Sequence, residues 1–217
     1  MPAAGLVALT PAPAEDARFR NLLPAEDWQR LPWPVRRRFT HALADGETTV
    51  FVGAVAETRL SLFGVLVSQF LRLAGGPLPL RSSGRVPATV VVMEDSTCGG
   101  QLWTRIYGCA GEFPQVIHSA KRFSGPTGLE ECVGRGVGME LTVHVEERAL
   151  VFRSACYFLR VFGMTVPLPG FLSPGQVEVV HREECDGRFS FTLTLTHPWF
   201  GEALRQVAFF RDWCEEP

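Results

Sequence analysis

Over residues 189–196 apolar and polar positions alternate without a break. Phe189, Phe191, Leu193 and Leu195 fall on one side, and Ser190, Thr192, Thr194 and Thr196 on the other. A period of two puts successive side chains on opposite faces of an extended chain, so this segment predicts a strand with one dry and one wet face. Residues 137–145 repeat the pattern, with Val137, Met139, Leu141, Val143 and Val145 opposed to Glu140, Thr142 and His144. In all, strands are predicted at 48–57, 88–94, 101–107, 113–123, 129–134, 138–146, 150–162, 176–185, 188–197 and 203–212. Turn signals separate them at Cys98-Gly-Gly, Gly108, Gly125-Pro, Glu146-Glu and Asp186-Gly. Asp186-Gly187 between two alternating runs predicts a tight hairpin.

Between the first two strands the period changes. Leu60, Leu62, Phe63, Leu66, Val67, Phe70, Leu71 and Leu73 recur at three and four residues, and Gly75-Gly-Pro follows. This predicts a helix over 60–74 with a wide apolar face, too short and too interrupted to span a bilayer. It would plug the end of a curved sheet, pack on its outside, or touch a membrane as a lid. Ahead of the strands, short helices are expected at 17–22, 25–31 and 34–40, with Pro24 and Pro34 in first turns. Arg36, Arg37 and Arg38 read as a solvated helix face or an anion or membrane-surface site. Residues 1–17, rich in Ala and Pro, read as a loose arm before a single domain over 18–217.

About ten strands joined by short turns make a sheet that curls and must hide its edges. The expected fold is therefore mainly β (α+β): an antiparallel closed or half-closed barrel of about ten strands, with short N-terminal helices and one apolar helix. Such a barrel has room for a ligand unless side chains or the helix fill it.

Composition narrows this picture. The 217 residues suit one domain, and 46% hydrophobic with 20% charged is ordinary globular material. A net charge of −2 argues against a nucleic-acid footprint. Lys121 is the sole lysine, a bias that reads as genome composition. The six cysteines form no C-x-x-C pair, and the N-terminus lacks the basic start of a signal peptide, so free thiols in the cytoplasm are expected.

No motif announces a reaction. Gly134-Arg-Gly136-Val-Gly138 leads into a strand, where a phosphate loop needs a helix N-terminus, and no histidine pair has metal spacing. No cofactor and no metal site is expected. Arg105 shares a strand face with Trp103 and Tyr107. A guanidinium among aromatics pairs with a buried carboxylate, for which Glu131 is the candidate, stacks on a ring, or holds an anionic ligand head. His118 shares a face with Val116 and Ala120, facing a cavity or satisfied in the core. Cavity ligation would fall to Trp103, Arg105, Tyr107 and His118, and His118 or Glu131 would be the candidate general base. His181, among Glu178, Arg182, Glu183 and Glu184, reads as part of a solvated charge ladder. Cys156, in an apolar run, reads as packing.

Several motifs come in a recognisable order: Trp103-Thr-Arg105 with Tyr107-Gly108, Leu129 with Glu131 and Gly134, residues 163–174, Gly187-Arg-Phe-Ser-Phe191, and Pro198 with Gly201. This series resembles an uncharacterised bacterial family, one of the domains of unknown function. That family occurs alone or fused behind NAD(P)-binding domains of the saccharopine-dehydrogenase or short-chain-dehydrogenase type. The resemblance matches the family's Arg after the first Trp with Arg105, and its Glu before Arg-Phe-Gly with Glu131. Here that triplet reads Cys132-Val-Gly134, without the arginine, and the terminal Tyr-x-Gly-aromatic strand is replaced by Gln206-Val-Ala-Phe209. The resemblance implies a small, apolar metabolite and a dehydrogenase partner.

Three readings follow: a barrel that binds a hydrophobic small molecule with a polar or acidic head, a cofactor-independent isomerase, cyclase or hydrolase acting on such a ligand, or a filled barrel working as an interaction domain. Membrane-surface contact through the 60–74 helix is a further expectation.

Overall fold

The computed structural model describes residues 15–43, 46–73, 85–108, 111, 113–134 and 136–213. A 3-10 turn at Arg20–Leu22 and two short helices, α1 (Ala25–Arg30) and α2 (Trp33–Thr40), lead into β1 (Thr48–Leu60) and α3 (Leu62–Leu73). Strands follow at β2 (Val86–Asp95), β3 (Gly100–Tyr107), β4 (Gln115–Arg122), β5 (Glu130–Val133), β6 (Val137–Glu146) and β7 (Ala149–Val161). The last are β8 (Met164–Pro167), a 3-10 turn at Gly170–Leu172, β9 (Gln176–Glu183), β10 (Arg188–His197) and β11 (Gly201–Asp212).

Each strand pairs antiparallel with its neighbour in the order β6-β5-β4-β3-β2-β1-β11-β10-β9-β7, and β6 pairs with β7 to close the ring. The result is a closed ten-stranded antiparallel barrel, with β8 as an extra strand on β7. Closure leaves the ring with no free edge, which is how so long a meander protects its backbone groups. The alternation seen in the sequence selects the faces. Phe51, Val55, Val90, Val92, Trp103, Ile117, Phe189, Ala208 and Phe210 form one core cluster inside the ring.

The two ends of the barrel differ. At one, the N-terminal helices insert a second cluster in which Phe19, Trp28, Leu31, Val35 and Phe39 meet Leu129, Leu141, Leu150 and Phe152. Phe19 stands edge-on to Phe39, Phe123 and Phe152, with ring centroids 5.0, 4.9 and 6.2 Å apart. At the other end, the mouth, α3 lies beside β11 and β1, with Val67 on Leu195, Ala203 and Leu204.

Several expectations change here. One end is stoppered by α1 and α2, and α3, expected as plug, outer packing or lid, packs at the opposite end on Leu195 and Leu204, with Val177 and Leu193 beside them. Arg38 does not belong to a solvated face: it is largely buried, pairs with Glu183 at 2.5 Å and sits 3.9 Å above the Phe189 ring. β8, in a Pro-rich stretch, was not among the expected strands. Cys156 is exposed, because a bulge where β6 pairs with β7 puts Ala155 and Cys156 both on the outside. The loose arm falls outside the described residues up to Ala14. Glu15 bridges to His41, and the Asp16 amide donates to the Thr40 carbonyl at 2.8 Å. No described helix is long and apolar enough to cross a membrane.

Candidate functional site

β3, β4 and β5 lie side by side, and their inward positions carry a polar cluster in an otherwise apolar lumen. Gln101, Trp103, Arg105 and Tyr107 point in from β3, and Ile117, Ser119 and Lys121 from β4. Lys121 stands directly across from Glu131 of β5. Its Nζ donates to Glu131 Oε2 at 2.8 Å. Arg105 Nη1 donates to Ser119 Oγ at 2.9 Å, while its Nη2 reaches Glu131 Oε1 only at 3.5 Å. Trp103 backs both cations. Arg105 Cζ is 5.7 Å and Lys121 Nζ 5.1 Å from its ring centroid, close enough for cation–π attraction. The indole Nε1 donates to Gln101 Oε1 at 3.2 Å.

Burial works to raise the Glu131 carboxyl, but Lys121 and Arg105, with hydrogen bonds from Lys121 and Ser119, outweigh it and hold the group down to about 2. Glu131 is therefore ionised at neutral pH and is a weak base. Burial pulls the Lys121 ammonium below its usual range, against the attraction of Glu131. Burial likewise raises the Tyr107 hydroxyl, which donates to Gln206 Oε1 at 3.4 Å. Gln206 Nε2 in turn donates to Thr58 Oγ1 at 3.3 Å.

One carboxylate thus faces two cations. The pairing of Arg105 with Glu131 is present but loose. Lys121 holds the carboxylate more tightly and is sealed, its side chain 7% exposed, whereas that of Arg105 is 25% exposed. The inward-facing Met139, Tyr157, Val177, Val179, Phe191 and Leu193 keep part of their surface exposed, although Met139 and Val179 also pack on the plugged-end cluster, Phe191 on the central one, and Val177 and Leu193 on the α3 cluster. These half-buried apolar side chains share the inner face of the barrel with the two cations.

His118 is not in this cluster. Its side chain is exposed on the outer face, where Nδ1 contacts Thr104 Oγ1 at 3.0 Å. The reading that turned it toward a cavity is corrected by register: Ile117 and Ser119 take the inward positions, so His118 and Thr104 must point out. His181 departs the other way. It is fully buried among Phe39, Phe189 and Phe191, with ring centroids 5.4, 5.0 and 4.6 Å away. Neither ring nitrogen makes a well-formed hydrogen bond, and burial, aided by Arg38 and opposed only by a backbone contact from Ser190, pulls the imidazole down to about 3. It borders a pocket of about 30 Å³ at the plugged end, with Arg38, His41, Gln101 and Trp103 among the lining residues. That is space for a water or two.

Lys121 was not picked out as a site residue. The signal was available: basic positions elsewhere in the chain are all arginine, so the one lysine marks a position where a compact point charge is used.

The fold and this cluster define an antiparallel up-and-down barrel with an ionic group set into its lumen. The chain belongs to the family described as domain of unknown function DUF4166, whose profile matches residues 31–210. No curated protein and no solved structure matches the chain.

Proposed function

We propose that the lumen beside Arg105 binds a small amphiphile, with its apolar body against the half-buried Val177, Phe191 and Leu193 and its anionic head on Arg105. The observation that carries this reading is the charge imbalance inside the barrel: two cations share one carboxylate, and the less buried of the two is the one that holds it loosely. A buried cation without a full partner is costly unless something else neutralises it. An arginine offers a flat fork of donors suited to a carboxylate. Burial of the body would supply most of the affinity, and Arg105 would fix the orientation.

Binding is favoured over proton-transfer catalysis. Glu131 is held ionised, His118 lies outside the lumen, and His181 faces the tightly packed plugged end. The packing of that end favours the second reading, a filled barrel serving as an interaction domain, for that half of the molecule alone. Native mass spectrometry of protein purified from its own host tests the proposal. A retained molecule whose mass fits a carboxylic acid with a substantial hydrocarbon body is the expected outcome. A bare protein, together with no thermal shift from any fatty or aromatic acid, would favour the filled barrel.

A further inference from the structure

Strand polarity gathers four features at the mouth: the β3–β4 loop, the β7–β8 hairpin, the β10–β11 turn and the start of α3. Their outermost side chains are Phe113, Phe162, Trp199 with Phe200, and Leu62. Phe162 is 96% exposed, Phe113 95% and Leu62 92%. The turns of the plugged end carry instead Asp95, Glu146-Glu-Arg148 and Glu184-Cys-Asp186. The mouth segments 60–71, 162–175 and 197–201 contain no Asp, Glu, Lys or Arg, and the β3–β4 loop contains one, Glu112.

The β7–β8 hairpin adds an independent observation. Val161 pairs with Met164, so Phe162-Gly163 is a two-residue loop, and both residues have positive φ, 51° and 79°. Asn-Gly is the favoured sequence for that geometry, and a bulky residue there is strained. This chain accepts both the strain and a fully exposed phenyl ring, and no contact within the barrel returns either. The β6–β7 turn also holds two non-glycine residues, Glu147 and Arg148, at positive φ, but with charged side chains; the exposed phenyl ring is what sets the Phe162 tip apart.

We propose that the mouth docks on a lipid surface, with Phe162, Trp199 and Phe113 entering the boundary between headgroups and acyl chains. Separate aromatic prongs around an opening suit a fluid apolar layer, which closes round each of them. The charges behind the prongs agree. Arg59 is taken by an ion pair with Glu57, which leaves exposed Arg85 and Arg205 against Glu202, a small positive balance that suits anionic headgroups. This inference does not rest on a lumen ligand, since the prongs lie outside the barrel.

Vesicle flotation of the full chain and of Phe162→Asn tests it, using phosphatidylcholine vesicles with and without phosphatidylglycerol. The full chain should float with both and more strongly with the anionic mixture. Phe162→Asn should lower the partition coefficient about tenfold on either, with no fall in thermal midpoint because Asn suits the turn. Failure of the full chain to float, or flotation of the variant equal to it, would overturn the proposal. So would a dimer of the full chain that Phe162→Asn converts to monomer without any flotation, which would assign the prongs to a second copy of the chain.

Discussion

Glu131 answers two cations, and its pH behaviour follows from that. Its folded-state value of about 2 lies below the ordinary 4.5, so the unfolded chain takes up a proton first as pH falls. The stabilisation is fully present above about pH 4.5 and is lost as pH drops through about 2, an effect of about 3 kcal/mol. Acid titration of the urea midpoint should show this loss, and Glu131→Gln should flatten it. The variant should also lose about 3–5 kcal/mol at neutral pH, because Lys121 and Arg105 are then left against each other without a counter-charge. Arg105 was legible in the sequence through the strand face it shares with Trp103 and Tyr107, and Glu131 as the carboxylate offered to it and as a match to the family motif. His118 and His181 were misread for a common reason. Period-two alternation tells which residues share a face but not which face is inside, and a local charge ladder suggests exposure even where one member turns inward to aromatic rings.

At the level of elements, the alternating strands could be read because each has one dry and one wet side. β8 could not, since its Pro-rich stretch shows no alternation and every residue in it is exposed. The roles of the helices also escaped the sequence, because an apolar stripe says that a helix packs but not on what. For α3 the answer lies in Gly64. A methyl group there would stand 1.9 Å from the backbone carbonyl oxygen of Ala203, so glycine is what lets the helix lie against β11. Gly64→Ala should therefore displace α3 and destabilise the protein by about 2 kcal/mol, read as a lower denaturant midpoint. Hydrogen exchange should rise in α3 and at the start of β11 while the plugged end stays protected. Unchanged exchange in α3 would show that the contact is not what seats the helix.

Across the whole molecule, the barrel is closed, with one end stoppered by aromatic packing and the other rimmed with exposed apolar side chains. Between them, Arg105 and Lys121 outnumber Glu131. The measurement that bears most directly on this is a paired titration of a long-chain fatty acid and its methyl ester, followed by thermal midpoint, on the full chain and on Arg105→Gln. Ligand at about a hundred times its dissociation constant adds about 2.7 kcal/mol, a rise of several degrees for a chain of this size. The acid should raise the midpoint of the full chain by that amount and the ester by far less, and Arg105→Gln should bring the two together. Equal shifts from acid and ester in the full chain, or no shift from either, would contradict an anionic head held on Arg105.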